Sequence, residues 1–179
     1  IREIELERAK QMHDREFARF SDWATSDETK SACAARQSGS GMYRGGNIAV
    51  EGSVQLAGLD VTNGRAELGG GIYVSAMSNS SFERCLIMGN TAVDRGGAMY
   101  FGKESAVDLL KMEIQFNHAK LGGGLFLEQC AGSHNQLNLD RNSASVAGGG
   151  VYLLNKARFT GYNSSVSANK IWKGPGEEN

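Results

Sequence analysis

Proline is almost missing from this chain, one residue in 179. A glycine-rich chain so poor in proline is neither a collagen nor a Pro/Gly linker. No run of about 18 apolar residues occurs, so no stretch reads as a membrane-spanning helix. Basic excess is lacking too: the formal net charge is −1, which argues against a nucleic-acid partner, since such partners usually demand a basic face. Neither a signal peptide nor an initiating methionine is visible, and the chain reads as a piece of something longer.

The chemistry of reactive sites is equally thin. Cysteines are few and odd in number, Cys33, Cys85 and Cys130, with no CxxC or zinc-type spacing. Cys85 is expected as a small core residue, while Cys33 and Cys130 remain open as a pair if the amino-terminal segment folds back. His13, His118 and His134 share no metal spacing and are expected to face solvent. Asp60, Glu67, Glu83, Asp94, Asp108, Glu113, Glu128 and Asp140 are scattered, with no Asp-Asp pair of the kind that holds calcium or performs acid/base work on a polysaccharide. No metal, cofactor or catalytic residue is assigned.

Glycine, by contrast, is abundant at 24 residues, and it recurs. "LGGGIYV" (Leu68 to Val74) is followed by "RGGAMYF", "LGGGLFL" and "AGGGVYL", after a degenerate first copy, "RGGNIAV". Aligned on Gly45, Gly69, Gly96, Gly122 and Gly148, the copies are spaced 24, 27, 26 and 26 residues apart. A second signature runs in phase: "IMGNTA", "IQFNHA", "LDRNSA" and "VSAN" carry an aliphatic residue three places before Asn90, Asn117, Asn142 and Asn169. Counting back five from each asparagine gives Cys85, Met112, Leu137 and Ser164. Short apolar stretches of period two between polar or glycine corners are strand grammar.

A repeat of about 26 residues without helical stretches must bury its apolar side against its neighbours. The expected fold is mainly β, a right-handed parallel β-helix of about five coils spanning residues 42–172. Its coils stack about 4.8 Å apart. Equivalent asparagines then form a structural ladder, and the glycines sit where the chain turns sharply into each strand, with positive φ. A phosphate-cradling role for them is rejected, because they lead into strands and not into a helix. Tyr73, Tyr100, Phe126 and Tyr152 fall at one position and should form an aromatic column. If the flanking aliphatics point inward, the column points out: a candidate contact surface for a protein partner or for sugar rings, unless the chain's own packing covers it.

Residues 1–41 are written differently. "IREIELERAKQMHDREFARFSDW" is dense in charge and in helix formers, with Ile4, Phe17, Phe20 and Trp23 as a partial apolar face. It is expected to cap or flank the first coil or, through Phe17, Phe20 and Trp23, to dock on a partner, with disorder as the remaining alternative. Residues 173–179 read as a frayed tail. Asn79-Ser80-Ser81 and Asn163-Ser164-Ser165 match glycosylation sequons, which matter only on a secretory route.

The paired signatures, as in "IMGNTAVDRGGAMY", resemble the GGAI and FxxN repeats of chlamydial polymorphic outer membrane proteins and similar pectin-lyase-like β-helix proteins. The resemblance covers residues 42–169. It departs in having aliphatics for Phe in the asparagine element and often Gly or Asn for Ala after the glycine pair. It implies the β-helix, and an adhesive, secreted or cell-surface role; an organelle lumen or the periphery of a membrane complex is the alternative. The functional expectation is a non-catalytic structural or interaction module, an adhesin-like fragment or an accessory subunit among other protein subunits. The runner-up is a carbohydrate-binding or degenerate polysaccharide-lyase-like domain.

Overall fold

The structure is a computed structural model that describes residues 44–172. The helical arm expected over 1–41, with Phe17, Phe20 and Trp23, and the tail at 173–179 lie outside the described residues.

The described chain is a β-solenoid of about five turns with parallel sheets. Coil 1 carries β1 (Ile48–Val50), β2 (Gln55–Ala57), β3 (Asp60–Thr62) and β4 (Arg65–Leu68). Coil 2 carries β5 (Ile72–Val74), β6 (Asn79–Glu83), β7 (Leu86–Met88) and β8 (Thr91–Arg95). In coil 3 the middle pair fuses, giving β9 (Met99–Phe101), β10 (Ala106–Gln115) and β11 (His118–Leu121). Coil 4 repeats this with β12 (Leu125–Glu128), β13 (Ala131–Asp140) and β14 (Ser143–Ala147). Coil 5 closes the array with β15 (Val151–Leu154), β16 (Arg158–Tyr162), β17 (Ser165–Ser167) and β18 (Lys170–Ile171).

Three parallel sheets result. The first runs β1-β5-β9-β12-β15 and the third β18-β14-β11-β8-β4. The second, bent sheet holds the strands between them. The sequence shows two apolar stretches per repeat, and the strand after each asparagine, in the third sheet, is the one it conceals. Those strands contribute mainly alanines to the interior, as Ala66, Ala92, Ala119 and Ala144, and alanine carries little strand signal.

Period-two alternation puts one set of side chains inside each coil, and parallel pairing stacks these sets into columns. Val50, Val74, Phe101, Leu127 and Leu153 are matched in register. So are Val61, Ile87, Ile114, Leu139 and Val166. Cys85, Met112 and Leu137 are buried in the same core, as expected from their distance to the asparagines.

Gly69, Gly96, Gly122 and Gly148 open the corner between the third and first sheets at φ of 64, 66, 65 and 68°. Positive φ alone does not demand glycine here, because other corners use Arg84, Lys111 and Gln136 at φ of 53, 53 and 56°. The demand is steric: a Cβ on Gly69 would lie 2.2 Å from the carbonyl oxygen of Ile72. The second glycine has a different reason. A Cβ on Gly97 would lie 2.2 Å from the carbonyl oxygen of Gly123 in the next coil, so this position is reserved for close coil stacking.

Candidate functional site

Asn90, Asn117 and Asn142 are fully buried and form the ladder their spacing implies. The side-chain oxygen of Asn117 accepts from the backbone N–H and the Nδ2 of Asn90, both at 2.9 Å. The oxygen of Asn142 receives the corresponding bonds from Asn117 at 3.1 and 2.9 Å, and that of Asn169 receives them from Asn142 at 2.9 and 3.0 Å. Each amide nitrogen also donates back to the preceding coil, to Val61, Ile87, Ile114 and Leu139 in turn. A buried amide with every group bonded is stabilising, and the residue type follows from needing donor and acceptor on one short arm. Coil 1 has Gly64 at this position. The side chain of Asn47 fills the space there and donates to the carbonyl of Thr62 at 3.0 Å.

The aromatic column also forms. Tyr73, Tyr100, Phe126 and Tyr152 stack with centroids 5.3, 5.5 and 5.4 Å apart and planes within 13° of parallel. The spacing is the coil repeat imposed on identical positions. As placed, it is not an open platform: Tyr73, Tyr100 and Phe126 are buried, and Tyr152 is half-buried. Packing within the chain covers it, with Leu68, Leu121 and Leu154 alongside.

Cations that sequence reasoning passed over lie against this stack. Arg44 sits over the Tyr73 ring at 5.3 Å, and Arg95 over Phe126 at 5.2 Å. Both occupy the position just before the glycine pair, which was the signal available. Glu128, one of the scattered carboxylates, is buried beside them. It accepts from the Tyr100 hydroxyl at 2.8 Å and lies 3.4 Å from Arg95 and 3.5 Å from Lys103. A buried carboxylate needs such partners. Burial first, then the bond to Glu128, pushes the Tyr100 phenol above its ordinary range.

Of the three histidines, His13 lies outside the described residues. His118 and His134, expected to face solvent, are half-buried, with Nδ1 at 3.0 Å from Ser143 Oγ and 2.9 Å from Ser164 Oγ. Burial lowers the pKa of both. His134 stands in register with inward Leu109, and Gly161 opposite it leaves room for its ring. Cys85 and Cys130 are buried free thiols whose pKa burial raises. Cys33 lies outside the described residues.

Around His134, three residues from each of three coils line a recess of about 440 Å³. They are in register: Asp108, Ser133 and Thr160 form one rim, and Leu110, Asn135 and Tyr162 the other. Ser133 donates to Asp108, the Asn135 side-chain oxygen is buried without a partner, and Tyr162 is exposed. The arrangement offers hydroxyls, one carboxylate, an amide and an exposed aromatic residue. Among the described residues no three His, Cys, Asp or Glu side chains are placed to share a metal ion.

The solenoid's two ends are unlike. In the two inward columns traced above, the coil 1 members Val50 and Val61 are 2% and 3% exposed, whereas the coil 5 members Leu153 and Val166 are 45% and 66% exposed. The outer face of coil 5 is open.

No protein-family model matches the chain, and neither a curated protein nor a solved structure matches it.

Proposed function

We propose that this chain is a non-catalytic structural module, a β-helix scaffold that docks other protein subunits as an accessory subunit or an adhesin-like fragment. The observation that carries this reading is the contrast between the closed coil 1 and the open coil 5. A core end that is exposed, with strand edges unpaired among the described residues, is a template for another chain, and exposed apolar surface of this kind marks interaction sites. The reading includes a right-handed winding, the hand that parallel strands joined by crossovers take in nearly all cases. It includes also the pectin-lyase-like, chlamydial-repeat kinship that the glycine and asparagine signatures suggest, and with it a surface or secreted setting. The test is cross-linking mass spectrometry on the natively purified protein. Cross-links to a second polypeptide are expected. A free monomer that turns over polysaccharide in a calcium-dependent lyase assay would overturn the proposal.

A second reading, an oligosaccharide-binding domain, is favoured by the recess around His134. Sites for sugars combine a few placed polar groups with an aromatic face, and Tyr162, Asn135, Thr160 and Asp108 supply both. Titration with cellohexaose, laminarihexaose and chitohexaose, followed by amide NMR, tests it. Shifts confined to the nine lining residues and abolished in Tyr162→Ala would support it, and their absence with all three sugars would reject it.

A further inference from the structure

We infer that the open face of coil 5 receives a β-coil supplied by an acidic polypeptide. This rests on the docking reading above and adds the face and the chemistry of the partner.

Three observations converge on that face. The first is shape: Val166 and Leu153 are exposed there, and β17 is exposed along its length. The second is the ladder. In coils 2 to 4 the asparagine N–H donates to the side-chain oxygen of the asparagine one coil further on. Asn169 is the last of the series, and among the described residues nothing accepts from its N–H. It presents a donor where the repeat would place an acceptor from a sixth coil. The third is charge. From Gly148 to Trp172 the chain carries Lys156, Arg158 and Lys170 and no Asp or Glu, and all three cations are exposed. No other coil is free of acidic residues: coil 1, Gly45 to Leu68, holds Glu51, Asp60 and Glu67 against Arg65.

A second copy fits this face poorly. Coil 5 against coil 5 brings like charges together, and coil 1 is already closed over its core. A different polypeptide with acidic side chains flanking a short apolar strand meets all three features: it covers Val166 and Leu153, supplies a carbonyl to Asn169, and neutralises three cations whose pairing is strongest in low salt.

Zero-length carbodiimide coupling, which joins amines to carboxylates in contact, tests this on the natively purified full chain. Cross-links from Lys156 and Lys170 to Asp or Glu of a second polypeptide are expected. The variant K156E/R158E/K170E, altered only at exposed positions and checked for an unchanged melting curve, should bind that polypeptide at least tenfold more weakly. Cross-links confined to Lys103, Lys111 and Lys120 would overturn the inference while leaving the docking reading in place. Cross-links from Lys156 or Lys170 to the chain's own Glu177 or Glu178 would assign the face to its own tail and overturn it likewise. An absence of any intermolecular cross-link would remove both.

Discussion

The side-chain oxygen of Asn117 lies 2.9 Å from both the backbone nitrogen and the amide nitrogen of Asn90 in the preceding coil. One atom thereby satisfies two buried donors, and the amide nitrogen of Asn117 does the same for carbonyls of Ile87 and Gln115. The relationship repeats at Asn142 and Asn169, so the coils are joined through their interior corner as well as through their strands.

Asn117→Ala should therefore orphan buried groups on both sides of the substitution. Each buried donor or acceptor left without a partner costs about 1–3 kcal/mol. A loss of about 3 kcal/mol is expected, roughly 6–12 °C in Tm for a domain of this size. Thermal unfolding followed by circular dichroism checks it, and an unchanged Tm would remove the ladder from the account of stability.

Gly58 and Gly69 share a backbone conformation, φ of 66 and 64°, but not surroundings. A Cβ on Gly58 meets nothing within 4 Å. Asparagine tolerates this region, so Gly58→Asn should change stability by no more than about 0.5 kcal/mol. Gly69→Asn drives a Cβ into the Ile72 carbonyl and should cost about 3 kcal/mol or more. Urea unfolding of the two variants separates steric demand from conformational demand.

Phe126 is fully buried between Tyr100 and Tyr152. Phe126→Ala should cost about 3–5 kcal/mol, as other large-to-small changes at buried sites do. A change near zero would mean that the stack is open in solution and free to act as a surface.

Tyr100 should ionise above the ordinary phenol range, because burial and the bond to Glu128 both oppose the phenolate. The folded state therefore holds this proton more tightly than the unfolded state. The stability it contributes is whole below about pH 10, the unfolded value, and is lost as pH rises through it toward the folded value. Absorbance titration should show that the ionisation missing from Tyr100→Phe is one that occurs above the ordinary phenol range in the parent. Alkaline unfolding should be less steep in pH for that variant.

Much of this architecture was legible because a solenoid writes its geometry into a period. The nearly constant spacing of Gly69, Gly96, Gly122 and Gly148, and of the four asparagines, has one economical meaning: equivalent residues meet in columns. Residue type then gave their roles, since only a short amide can both donate and accept along a ladder and only glycine leaves room for a neighbouring carbonyl. The strands of the third sheet escaped notice because small alanines fill the interior there and carry no apolar alternation. The burial of Glu128 and the half-burial of His118 and His134 were equally hidden. A charged or titratable side chain is buried or free according to what packs on it from other coils, and a linear pattern does not say.

What the chain alone determined is thus the repeat, its strand content, and the ladder and column positions, all of which follow from local chemistry recurring at a fixed interval. Only the tertiary structure decided that the aromatic column is covered, that Asp108, Ser133, His134 and Tyr162 border one recess, and that coil 1 is closed while coil 5 stands open. Those are properties of neighbours brought together across coils, where exposure depends on the stacked arrangement and not on any residue's own preference.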